Sequence, residues 1–86
     1  MVQREVTVRI RDGFHARPAT LLVVQAAKSK SKVTILFNGK TINAKSMFHI
    51  LGGAICMGSR LIMTADGSDE HETLETMCHL VENLLE

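Results

Sequence analysis

Asn38-Gly39 stands between two short alternating runs, and no other feature of the sequence restricts the fold as much. A two-residue hairpin loop of type I′ needs positive φ at both central positions, which Asn and Gly tolerate best. Val33, Ile35 and Phe37 alternate with other residues up to this turn, and Lys40 to Ala44 leads away from it as the antiparallel return. Two further segments carry the same period of two. Val2, Val6, Val8 and Ile10 fall on one side of a strand whose other side holds Gln3, Glu5, Thr7 and Arg9, and Leu61, Met63 and Ala65 share one side of Arg60 to Asp66. Each strand therefore offers one apolar face, and any helices must gather on that face while the other meets water.

The helical segments are legible by their own spacing. Ala19, Leu22, Val23 and Ala26 form a stripe within a helix expected over Ala16 to Lys28. Ser46 reads as the N-cap of a short helix over Met47 to Leu51, which Gly52-Gly53 stops. Asp69 with Glu72 reads as a capping box opening a last helix, whose core stripe is Leu74, Met77, Cys78, Val81, Leu84 and Leu85. The order βαββαβα in 86 residues predicts one α+β domain over 1–86, a mainly antiparallel four-stranded sheet with three helices on one face. Both cysteines, Cys56 and Cys78, are expected to be buried thiols, since two are too few for a disulfide scaffold.

Chemistry concentrates in Gly13-Phe14-His15-Ala16-Arg17-Pro18-Ala19. His15 occupies the expected N-cap, where a short oxygen-bearing side chain is the usual structural choice. Pro18 belongs in a first turn because its missing N–H would have had no intrahelical partner there. The free first-turn amides and the helix dipole disfavour an imidazolium and favour an anion, so His15 is kept neutral and nucleophilic. Arg17 brings a guanidinium that matches phosphate oxygens in a planar, multidentate way. The combination is a nucleophile inside a small anion site.

These residues, together with Asn43-Ala44-Lys45-Ser46 and Asn38-Gly39-Lys40, resemble the HPr family, the histidine-containing phosphocarriers of the bacterial phosphoenolpyruvate:sugar phosphotransferase system. The resemblance spans the whole chain. It implies an open-faced β-sandwich with three helices on one side, a carrier rather than an enzyme, and no cofactor. His15 would take a phosphoryl group from enzyme I on Nδ1 and pass it to sugar-specific enzyme IIA domains, with Arg17 contacting the phosphoryl oxygens and Pro18 holding the helix start. Ser46 would be the regulatory serine of an ATP-dependent HPr kinase/phosphorylase, its phosphorylated form acting with a catabolite control transcription factor. The related Crh proteins lack the active histidine, and His15 argues against that assignment.

Docking needs a surface, and Thr20, Leu21 and Val24 lie opposite the core stripe of the first helix while Met47, Phe48 and Leu51 are surplus on the short one. Ile50 is the expected core contact, and Arg17, Lys45 and Lys28 are expected around the patch. Four positions depart from the family pattern. Asp12, where many members carry Ser or Asn, would raise the His15 pKa and repel incoming phosphoryl oxygens. His49 and Gly52-Gly53 are uncommon and expected to loosen the short helix.

Other function classes fit poorly. Aromatic residues make up 3% and are all Phe, which removes the usual platform for stacking bases, and a net charge of +1 gives duplex binding little footing. That charge is uneven: all ten Lys and Arg lie in residues 1–60 opposed only by Glu5 and Asp12, while residues 61–86 hold seven acids and no base. His71, Cys78 and His79 match no zinc spacing, so no metal is expected. Gly53 to Arg60 imitates a phosphate loop but lacks its Lys and precedes a strand, which makes it a turn. No apolar run is long enough for membrane insertion, and a cytoplasmic location is expected.

Overall fold

Asn38 and Gly39 take φ of 52° and 78°, so the two-residue turn has the positive φ values that type I′ requires. In the computed structural model, which describes residues 1–9, 16–53 and 55–83, this turn joins β2 (Lys32–Phe37) to β3 (Lys40–Asn43). Phe37 pairs with Lys40 and Ile35 with Ile42. On its other edge β2 pairs with β4 (Arg60–Asp66), which in turn pairs with β1 (Val2–Thr7). Every pairing is antiparallel, and the strand order is β1-β4-β2-β3.

Register aligns the apolar phases. Val6 sits opposite Leu61, Ile35 opposite Met63 and Ile42, and Val33 opposite Ala65, so one face of the sheet is continuously apolar and fully covered. The cover comes from α1 (Ala16–Lys28), α2 (Met47–Gly52) and α3 (Glu70–Asn83), through Ala19, Leu22 and Ala26, then Ile50, then Leu74, Met77, Cys78 and Val81. Each fully buried Leu, Ile or Met contributes about 1.5–3 kcal/mol from apolar area removed from water. Among the described residues no helix is long and apolar enough to cross a membrane.

Several local expectations change. The first strand was expected to reach Ile10 but ends at Thr7; Val8 stays in the core while its backbone turns to new partners, its N–H donating to Ser59 O (2.8 Å) and its carbonyl accepting from Gly58 N (2.9 Å). Ile10, Leu84 and Leu85 lie outside the described residues. Cys78 is buried, and that burial pushes its thiol pKa up, but Cys56 is exposed in the turn before β4. The Ser59 N–H donates to the Cys56 carbonyl (3.1 Å), so the Gly53 to Arg60 segment does contain a turn. Gly53 ends α2 without a left-handed cap: its φ is −77°, and a Cβ there would come within 2.7 Å of Ile42 Cδ1. An added Cβ at Gly53 would therefore have to displace the end of the Ile42 side chain on β3.

The corner before α3 also differs from a capping box. Asp69 accepts the Lys30 N–H (3.0 Å) and the Ser31 hydroxyl, tying α3 to the start of β2. The acid that reaches back is Glu70, whose Oε1 accepts the Gly67 N–H (3.2 Å) and the Met1 ammonium (3.0 Å). The Ser31 hydroxyl, followed by the Lys30 N–H, holds the Asp69 carboxyl below the usual carboxylate range. A carboxyl whose pKa is lowered by folding stabilises the fold above its unfolded pKa, and that contribution is lost as pH falls through the folded value. Asp69→Asn is therefore expected to be less stable than the wild type at neutral pH, with the gap closing as both proteins are acidified below the ordinary carboxylate range. Denaturant midpoints measured along a pH series check this; a gap constant with pH would contradict it.

Candidate functional site

The first turn of α1 is the best-defined part of the proposed anion site. The helix begins at Ala16, and Pro18 is fully buried two residues later. Proline at that point removes one N–H that would otherwise be unpaired and presets φ for the helix, which fixes where the helix starts. The other first-turn amides have no partner within the helix, and no acid lies in the turn to occupy them. His15 itself, Asp12 and the Arg17 side chain lie outside the described residues.

Ser46 is the N-cap of α2. Its backbone is extended (φ −117°, ψ 114°), its Oγ accepts the His49 N–H at 3.3 Å, and its carbonyl accepts the Ile50 N–H at 3.1 Å. The hydroxyl is half-buried. At His49 the backbone N–H meets the cap, and the side chain adds one contact of its own, Nδ1 accepting from the Asn43 N–H at 3.5 Å. Lys45 is held by two bonds, its N–H to Asn43 Oδ1 (2.9 Å) and its ammonium to the Ser29 carbonyl (3.3 Å) just past the end of α1. The tie to Ser29 leaves no trace in local spacing because it joins separate parts of the fold, whereas the bond to Asn43 reaches back only two residues.

Thr20 of α1 is exposed and reaches Met47 of α2, with Oγ1 3.8 Å from Sδ. Met47 is half-buried against the core, and Ile50 is fully buried as expected. Around this contact Leu21 (42%), Val24 (47%), Leu51 (45%) and above all Phe48 (88%) remain exposed. Four large apolar side chains left in water on two adjoining helices have no structural use in the isolated chain, since the core is complete beneath them. Lys28, at the end of α1, is exposed. Among the described residues no three His, Cys, Asp or Glu side chains come together to hold a metal ion.

The family model described as the PTS HPr component phosphorylation site matches residues 2–83. Phosphocarrier protein HPr of Buchnera aphidicola subsp. Acyrthosiphon pisum is 36% identical over 84 residues, 98% of this chain and 99% of the relative. HPr-like protein Crh of Bacillus subtilis is 39% identical over 82 residues, 95% of this chain and 96% of the relative. The crystal structure of a phosphocarrier protein HPr from Bacillus anthracis matches with a TM-score of 0.90 at 41% identity, covering 93% of this chain and 95% of that one. Family model, relatives and backbone agree over nearly the full length, and the chain belongs to the HPr family, the phosphocarrier proteins of the phosphotransferase system, which carry a phosphoryl group and are not enzymes.

Proposed function

We propose that residues 1–86 form one cytoplasmic carrier domain in which His15 accepts a phosphoryl group from enzyme I and passes it to sugar-specific enzyme IIA domains. In the first transfer the His15 Nδ1 lone pair attacks phosphorus, and the bond from phosphorus to enzyme I breaks as the new P–N bond forms. The electron pair leaves with enzyme I, and Nε2 keeps its proton. Transfer to enzyme IIA runs the same exchange in the opposite sense, with the bond to Nδ1 breaking. The Arg17 guanidinium and the first-turn amides neutralise charge on the phosphoryl oxygens.

The observation that carries this reading is the start of α1 at Ala16 with Pro18 buried in its first turn. His15 is then the residue immediately before a helix whose leading N–H groups have no partner within the helix, the place where an anion is stabilised and an imidazolium is not. The patch of Thr20, Leu21, Val24, Phe48 and Leu51, with the half-buried Met47 among them, serves as the docking surface for both partners, which must bind one after the other and release quickly. Ser46 is the regulatory residue. A phosphate there adds about −1.5 to −2 charges next to Met47 and Phe48, so it changes docking more than folding. The similarity to Crh supports a further role of that form with a catabolite control transcription factor, and supports a second reading in which Ser46 phosphorylation alone sets the output.

Incubation with enzyme I and phosphoenolpyruvate, followed by mass measurement, tests the carrier reading. The wild type is expected to gain one phosphoryl group that mild acid removes, and His15→Ala to gain none. Equal gain in both proteins excludes His15 as the acceptor. A gain seen only with a serine kinase and ATP, stable in acid, favours the second reading.

A further inference from the structure

The sheet ends in a groove of about 450 Å³ where β2 begins and β3 finishes, and its wall brings together Lys30, Lys32, Lys45 and His49 from three separate parts of the chain. No carboxylate lines it. Among the described residues none of the three ammonium groups has a carboxylate oxygen within 4 Å, although acids stand close in the fold. Asp66 is the cross-strand neighbour of Lys32, yet its carboxylate lies 3.6 Å from the Met1 ammonium. Asp69 accepts the backbone N–H of Lys30 and the Ser31 hydroxyl. Three like charges are thus gathered in one concavity without an internal counter-charge, an arrangement that an outside anion relieves.

The donors are also held in place. The Lys45 ammonium is fixed by the Ser29 carbonyl and its backbone by Asn43 Oδ1. His49 faces the Asn43 N–H with Nδ1, so the neutral ring carries its proton on Nε2 and remains a donor. The hydroxyls of Thr34 and Thr41, on the solvent face of the sheet, complete the lining. A volume of this size lies within the range of about 300–1,000 Å³ usual for small-ligand sites. No Phe, Tyr or Trp side chain lines it, and its single ring is the His49 imidazole.

We propose that this groove binds a small soluble anion carrying two or more phosphate groups, at a site separate from His15. Three lysines lining one groove suit separate phosphates on one compact molecule, and hydroxyl and imidazole donors suit their remaining oxygens. The groove lies one residue before Ser46 at Lys45 and three after it at His49, so an occupant also adds negative charge beside the α2 cap.

Inorganic triphosphate, added at constant ionic strength to the full chain, is the probe, read by backbone amide chemical shifts. Saturable shifts are expected at Lys32, Thr34, Asn43, Lys45 and His49. The double substitution Lys30→Gln and Lys32→Gln should weaken binding about tenfold or more, since charge-assisted hydrogen bonds are lost, while leaving phosphoryl transfer to His15 unchanged. His15→Ala should leave triphosphate binding unchanged, which separates this site from the carrier reaction. Shifts that fail to saturate, that match those from an equal ionic strength of sodium chloride, or that centre on the start of α1 overturn the proposal. So does saturation by an oligoglutamate peptide with no response to triphosphate.

Discussion

Replacing Phe48 with alanine is expected to cut kcat/KM for phosphoryl transfer from enzyme I by about 30-fold, the loss of about 2 kcal/mol that defines an interface hot spot. The ring is 88% exposed, so its removal leaves the core untouched, and stability should stay within about 0.5 kcal/mol of the wild type. Nothing in the isolated chain explains why a large aromatic side chain stands in water on the first turn of α2. It acquires a use when a partner covers it together with Leu21, Val24 and Leu51. The loss should appear in KM, with the rate recovering at saturating concentrations of the variant, because the role proposed for Phe48 is to bind the partner and not to touch the phosphoryl group. Steady-state transfer with purified enzyme I separates the two parameters; an unchanged kcat/KM would remove Phe48 from the docking surface. The Ser46 hydroxyl caps the same helix, so a phosphate there should act on the same step by placing charge at the rim of an apolar contact.

How much could be read in advance depended on how local the physical cause was. The hairpin was legible because the need for positive φ is a property of two adjacent residues, and Asn38-Gly39 meets it within the turn itself. The bounds of α1 and the Ser46 cap were legible for the same reason: Pro18 and Ser46 act on amides a few positions away. Causes that cross the fold left no local trace. The end of β1 is set by Gly58 and Ser59, which take over the Val8 backbone from a loop about fifty residues on. Asp69 is drawn from the expected capping box to Ser31 and Lys30, and Cys56 sits in an exposed turn although its composition reads as core. The lysines of the groove, scattered over Lys30, Lys32 and Lys45, could not be seen to converge until the β2–β3 hairpin and α2 were in place. The exposed apolar surface was partly legible, since Leu21 and Val24 lie off the α1 core stripe, but the near-complete exposure of Phe48 follows from how α2 leans on α1 and β3.

Gly67→Ala is expected to cost about 1–3 kcal/mol, the range for forcing an extra group into a packed site. As a residue closing a strand, Gly67 reads as an ordinary turn glycine, yet its φ is not in the left-handed region. Its requirement is space: a Cβ there would stand 2.6 Å from Ser31 Cα and 2.8 Å from Ser31 Oγ. Backbone cannot swing aside as a side-chain end can, so the start of β2 would have to move. Ser31 is fully buried and its hydroxyl holds Asp69, while the adjacent Lys30 N–H holds the same carboxylate. Displacing that strand start therefore strains the link between β2 and α3, and the Asp69 pKa should rise toward the ordinary carboxylate value as its donors are lost. Gly39→Ala is the comparison. There φ is +78° with no atom within 4 Å of the added Cβ, so its cost of about 1–2 kcal/mol is backbone strain alone, and Asp69 should titrate as in the wild type. Denaturant unfolding of both variants, with Asp69 followed by carboxyl NMR, distinguishes crowding from strain. A Gly67→Ala protein as stable as the wild type, with Asp69 unchanged, would mean that the corner yields without breaking its hydrogen bonds.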